Sequence, residues 1–466
     1  MAGLFISRDH GPDSFSNLDV NGRVRQSKSL DGATRAGEMA IEVRATDSAA
    51  GARGEGEVAP IGGRFGTFRS LRHRNYRLLW IGTLFSSSGQ WIQQTSLGWL
   101  TYDLTGSAFL LGAVNGFRSL PLLFLGPVGG VAADRFDKKR LMLTTQVFMV
   151  GISVVFATLI VTGHVRIWHV FAFTLLSGVG WAFNMPVRQS IVPNLVPRED
   201  MMNAMALNSA AFNVTRIVGP TIAGLMIAKM GPGENFFIQS AMYIGVSITI
   251  VQLALPQFKT ATNRSMRGGL SEGAKYVWHH PTLRTQMALA LVPVVIALPY
   301  VSLLPIVAKE NLGKGAGGFG VLMSAPGIGA VASTLLLATL GDIRRKGILL
   351  LAAIFAFGLT LIAFAASVSI LKSYPLAIVL LVVAGACQMV FMTTNQTVMQ
   401  LTTPDEFRGR VMGLFMLNQG LLPLGSLFGG TLAQFTNAQT ALGVMGLSVT
   451  LLAIAFGLFA RSVRTL

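Results

Sequence analysis

The chain has 466 residues, of which 52% are hydrophobic and 12% charged, with a formal net charge of +17. A soluble protein carries roughly 25% charged residues, so most of this chain is excluded from water and belongs in lipid. The positive excess does not mark a nucleic-acid binder, because the basic residues lie between apolar runs and no soluble domain gathers them on one face with interleaved aromatics.

Residues 1–63 are rich in Gly, Ala, Ser, Asp and Arg, carry no apolar period, and read as a disordered cytoplasmic tail. No apolar stretch near Met1 has the form of a signal peptide. Residues 64–77 bring Arg64, Arg69, Arg72, Arg74 and Arg77 with no acidic residue, a composition suited to a juxtamembrane segment lying on anionic lipid.

Twelve apolar runs follow. They predict transmembrane helices at about 78–102, 107–132, 141–161, 168–185, 204–228, 236–255, 287–307, 317–340, 348–370, 375–397, 411–435 and 438–460. The longest internal break, 256–286, contains KYVWHH (275–280) and reads as a cytoplasmic linker joining an N-terminal bundle, 78–255, to a C-terminal bundle, 287–460. Residues 461–466 form a second cytoplasmic tail. With these boundaries, twenty-three Lys and Arg fall in flanks and loops on one side and five on the other. The positive-inside rule then places both termini in the cytoplasm.

An internal repeat supports the division. NMPVRQSIVP (184–193) ends the fourth run and NQTVMQLTTP (395–404) ends the tenth, with Asn, Val, Gln and Pro at identical offsets 211 residues apart. GGVAADRFDKKR (129–140) is echoed by GDIRRK (341–346). The expected fold is therefore an all-α membrane protein of twelve transmembrane helices in two pseudo-symmetric six-helix bundles, with a ligand site between the repeats near the midplane.

Arg118 and Arg216 are the most informative residues, because insertion of Arg at a helix centre costs roughly 2.5–3.5 kcal/mol. Ser209, Asn213 and Arg216 share one face of the fifth helix, and Gly219 and Pro220 follow one turn on. The second helix offers Asn115 and Arg118, the first Gln90, Gln93 and Gln94, and the second half Gln388, Asn395, Asn418 and Gln419. Two readings stand side by side. Either the arginines face a water-filled cavity and attract an anionic or acid-bearing amphiphile, or each bonds to backbone carbonyls or amides and stitches the first half together.

All acidic residues fall outside the apolar cores, and only Asp103 touches a helix end. Proton carriers in membranes are commonly buried carboxylates, so coupling is left to Asp103 as the candidate proton site, to a protonated substrate, or to no proton at all. Pro293, Pro299 and Pro305 in the seventh helix allow either a gate or a merely tolerated kink. No phosphate-binding loop, Cys/His metal spacing or Gly-x-Ser-x-Gly elbow occurs. Neither an enzyme nor a cofactor or metal is expected.

Gly130-x-x-x-Asp134-Arg135-x-x-Lys138-Lys139-Arg140 resembles the signature loop of the major facilitator superfamily, and Gly219-Pro220-x-x-Ala223-Gly224 is similar to its antiporter motif. LRHRNYRLLW (71–80), YDLTGSA (102–108), VPREDMMNAMALNS (196–209) and FRGRVMGLFML (407–417) look like the bacterial exporter branch that includes the enterobactin exporter and macrolide efflux proteins. Asp137 stands where the loop often has Gly, and Ala223 replaces the first of two paired glycines. The resemblance implies the major facilitator fold and export by alternating access at the bacterial plasma membrane, with proton antiport as the implied coupling. It also implies a latch in which Asp134 meets the eleventh helix near Arg410. The expected partners are membrane lipid and a small-molecule substrate, the chain acts as a monomer, and accessory export proteins are unassigned. A lipid or lysolipid transporter, or a non-transporting receptor or scaffold, is the alternative.

Overall fold

The computed structural model describes residues 66–254, 266–341, 343 and 345–460. The expected tails 1–63 and 461–466, Arg64, and the 255–265 part of the linker lie outside the described residues. What is described is nearly all helix: α1 Arg74–Thr105, α2 Ala108–Arg135, α3 Lys138–Val161, α4 Ile167–Ile191, α5 Met201–Met230, α6 Pro232–Gln252 and the connecting helix α7 Met266–His279. The second half continues with α8 Pro281–Asn311, α9 Gly315–Leu340, α10 Lys346–Ser369, α11 Tyr374–Thr402, the pair α12 Asp405–Gln419 and α13 Leu422–Phe435, and α14 Ala438–Phe459.

At about 1.5 Å per residue, the 21 residues of α6 reach about 32 Å and the 32 of α1 about 48 Å. Either spans a hydrocarbon core of about 30 Å. Among the described residues nine helices are both long and apolar enough to cross a bilayer. The remaining runs form α1 and α6, whose faces are more polar, and the eleventh, which breaks between Gln419 and Leu422. Twelve spans are consistent with this set.

Small polar residues set the turns. Gly106, with φ 59°, closes α1 in the left-handed region, and Ser107 accepts from the Leu110 amide to start α2. Asp137, which replaces the glycine of the signature loop, caps α3 by accepting from Arg140 N at 2.7 Å, so the turn stays tight without glycine. The largest boundary differences from the sequence expectation are six residues each. Helix α4 runs through Pro186 to Ile191 and takes Arg188 inside the helix, α8 starts at Pro281 rather than 287, and α12 starts at Asp405 rather than 411.

The surface is inverted relative to a soluble protein. Phe124 is 70% exposed and Leu335 63%, while Gln93 is 2% exposed and Asn235 and Gln239 are fully buried. In lipid the apolar side chains face outward at no cost, and the N–H groups of these amides find acceptors inside. Asn235 Nδ2 donates to Ser96 Oγ at 2.8 Å and to the Ala223 carbonyl at 3.0 Å, tying α6 to α1 and α5.

The halves meet closely where α2 crosses α13 and α5 crosses α9. Both crossings are made of glycine. A Cβ on Gly112 would stand 2.3 Å from the Ser426 carbonyl oxygen, and one on Gly224 2.5 Å from that of Ala316. Gly430 and Gly320 are the opposing glycines, so backbone touches backbone at each crossing. These contacts lie at the end of the bundle where α1 passes into α2, here the far end. At the opposite end, which carries the basic loops, charged side chains find partners within their own half. Arg69 and His73 each reach the buried Asp200 at 2.8 Å, and Lys139 Nζ donates to the Val251 and Leu253 carbonyls at the end of α6.

Candidate functional site

Between the halves, α1, α2 and α5 face α8, α9, α11 and α13 around a cavity of about 960 Å³, counting the space at its mouth. Five of the residues singled out from sequence line it: Gln94, Asn115, Arg118, Arg216 and Gln388. Arg118 projects from α2 one turn beyond Asn115, and its Nη1 donates to Gln94 Oε1 at 3.3 Å. Asn115 itself donates to the Leu111 carbonyl at 3.1 Å. Arg216 enters from α5, where Gly219 brings the backbone against Trp91 of α1. Among the described residues Arg216 has no hydrogen bond or ion pair, although the Tyr300 hydroxyl lies within its electrostatic range.

The charge of this lining is one-sided. Trp91 Nε1 and the Tyr300 hydroxyl are buried in its wall without a hydrogen-bond partner. Two guanidinium groups are its only charges among the described residues, with no carboxylate, while Asn115 and Gln388 bring amides that can donate or accept. Leu111, Leu298, Phe319 and Met323 supply the apolar remainder. Such a cavity suits a molecule with an acceptor-rich anionic part and an apolar body.

Other predicted residues lie elsewhere. Gln93 faces away from the cavity, donating to Ser177 Oγ at 3.0 Å and accepting from Gln239 Nε2 at 2.8 Å, so it fastens α1 to α4 and α6. Asn418 belongs to a separate small pocket and donates to Met287 Sδ at 3.3 Å. Asn213 donates to the Ser209 carbonyl of its own helix at 2.9 Å, and these two residues and Gln90 are not part of the lining. The side chain of Gln419 lies outside the described residues. In the antiporter-like motif, Gly224 and the Pro220 carbonyl meet Gly320 of α9, and the buried Ala223 offers its carbonyl to Asn235 instead.

The loop after α2 holds no described contact with Arg410. Arg410 pairs with Glu272 of α7 at 2.8 Å, and Tyr276 of α7 stacks on Phe407 of α12 with ring centroids 4.3 Å apart. Arg135 and Arg140 are exposed, Gly130 meets nothing within 4 Å, Lys138 is half-buried with a partner, and the Asp134 side chain lies outside the described residues. Asp103 is bound at the far end, where Lys309 Nζ donates to it at 2.6 Å. Beside it the Tyr102 hydroxyl donates to Glu310, and Lys309 lies 5.8 Å from the Trp99 ring centroid. These contacts bridge α1 to α8.

Sequence reasoning missed Trp91 and Tyr300, whose rings look like core residues on any membrane helix. It also missed Arg188, whose Nη2 donates to Thr83 Oγ1 at 2.5 Å inside the first half.

A family model described as transmembrane secretion effector matches residues 65–465. The staphyloferrin A transporter of Staphylococcus aureus is 26% identical over 388 residues, covering 82% of this chain and 96% of its own. The multidrug efflux pump Tap of Mycolicibacterium fortuitum is 26% identical over 391 residues, covering 81% and 93%. Among solved structures, the nucleoside transporter NupG superposes with a TM-score of 0.67 at 15% identity, over 82% of this chain and 98% of its own.

Proposed function

Because the chain belongs to the transmembrane secretion effector family of major facilitator transporters, we propose that it exports a small anionic or acid-bearing amphiphile across the bacterial plasma membrane by alternating access. One observation carries the choice of cargo: among the described residues the only charged side chains in the cavity wall are the guanidinium groups of Arg118 and Arg216, and no carboxylate lines it. A cationic drug would meet two guanidinium charges there, at a cost of several kcal/mol for like-charge juxtaposition. Staphyloferrin A and drugs are what two relatives' names say they move.

The basic end is the cytoplasmic one under this proposal, with both termini there, so the structure corresponds to a cytoplasm-facing state. The glycine crossings and the Tyr102–Glu310 and Asp103–Lys309 contacts close the outer side. In the opposite state these contacts part and the loop after α2 draws toward α12, with Arg410 leaving Glu272. The chain works as a monomer, and proton antiport would pass through the Asp103 and Glu310 cluster or through the cargo's own acid.

Purified protein in vesicles provides the test. Staphyloferrin A and the cationic dye ethidium are compared for thermal stabilisation, then for flux under an imposed pH gradient. Stabilisation by the anionic probe that Arg216→Ala removes supports the reading. Stabilisation by ethidium alone ends it, and flux indifferent to both gradient directions ends the antiport part.

A further inference from the structure

Asn184 and Asn395 open the two copies of the internal repeat, and each is buried beside a small pocket away from the central cavity. Asn395 of α11 shares its pocket with Ala290, Pro293, Phe391 and Asn418, and neither its Oδ1 nor its Nδ2 has a protein partner. Gln286, one turn before Ala290 on the same face of α8, is fully buried and equally unpartnered at both atoms. Asn184 of α4 donates to Thr145 Oγ1 at 3.0 Å, but its Oδ1 and the Oε1 of Gln146 lack donors, and both residues line the second pocket with Met149 and Tyr243.

Leaving a buried amide group unpaired costs about 1–3 kcal/mol, so several such groups in one domain require an occupant that answers them. The free interior of each pocket is about 10 Å³, which accommodates a single water molecule. A monovalent cation would satisfy the oxygens of Asn184 and Gln146 but not the N–H groups of Asn395. Water serves both, since it donates and accepts. Pro293 lines the first pocket and opens the π-helical turn Pro293–Ala297 in α8. It removes one backbone donor from its ladder, and helices bend where water enters such a ladder.

We propose that each half holds one internal water at these repeat-related asparagines, and that the water beside Asn395 is an exchangeable hydrogen-bond partner for the proline break in α8.

Hydroxyl-radical footprinting of the purified full chain, with radicals generated from bound water by a short X-ray pulse, tests this. Phe391, in the Asn395 pocket, should be labelled several-fold faster than Phe357 and Phe364, which are comparably buried in the core of the same half. Asn395→Leu should abolish that label and leave Tyr243 unchanged, Asn184→Leu should do the reverse, and Asn395→Asp should keep the Phe391 label. Equal labelling of the three phenylalanines in the unmodified protein overturns the proposal without recourse to any variant. Thermal stabilisation by sodium over choline that Asn184→Leu removes also overturns it, in favour of a cation.

Discussion

The N-terminal half lays Gln94, Arg118 and Arg216 along the cavity, whereas the C-terminal half lays Tyr300, Ser302 and Gln388 there and no charged side chain among its lining residues. Elsewhere the halves still agree. Their glycine crossings are made by equivalent helices, α2 with α13 and α9 with α5, and their repeat asparagines occupy buried niches. Backbone features needed for packing have been kept in both copies, while cavity chemistry has separated into a cationic wall and a neutral one. Under the proposed function, an anionic cargo would be held by the first half, and the second half would decide how well its uncharged part fits.

The strongest test of that division is Arg216→Ala. Cargo binding should weaken by about 2–5 kcal/mol, the usual effect of truncating one partner of a buried charge pair. The melting temperature should hold or rise, because an unpartnered guanidinium is removed from the interior. A fall in stability with unchanged binding would make Arg216 a structural stitch. Next in size is Gly112→Val or Gly224→Val, where overpacking of about 1–3 kcal/mol acts only while the far end is closed. Cysteine accessibility at the far end should increase in both, and an increase in one alone would break the equivalence of the crossings.

Gln388→Ala should cost about 1 kcal/mol of cargo affinity, the scale of one neutral hydrogen bond, measured in the same binding assay. A loss matching that of Arg216→Ala would erase the contrast between the walls. The smallest effect belongs to Lys309→Met. Lys309 and Asp103 are 42% and 51% exposed in their side chains, so their pair should contribute about 0.2–1 kcal/mol to far-end closure. A slight rise in the same accessibility signal is expected.

Much of this architecture is written in the chain itself. Apolar length marks the spans, loop charge marks their ends, and a guanidinium inside an apolar run cannot be overlooked, which is why Arg118 and Arg216 were legible. Gln93 and Gln94 were not separable, because adjacent residues on a helix differ by about 100° in direction and only packing says which one meets the cavity. Arg188 was hidden by Pro186, which reads as a helix end but lies inside α4, as proline is tolerated in membrane helices. The Glu272–Arg410 pair joins residues far apart in the chain, and no local pattern announces it.

The bare crossings of Gly112 with Gly430 and Gly224 with Gly320 have a mechanical meaning. Interdigitated side chains behave like gear teeth, and sliding one helix past another means lifting each tooth from its socket. Where only Cα hydrogens and carbonyl oxygens touch, there are no teeth, and the weak contacts between them re-form after small rolls. The two crossings thus close the far end without interlocking it, so under the proposed function the halves can part there with no side chain withdrawn from a socket.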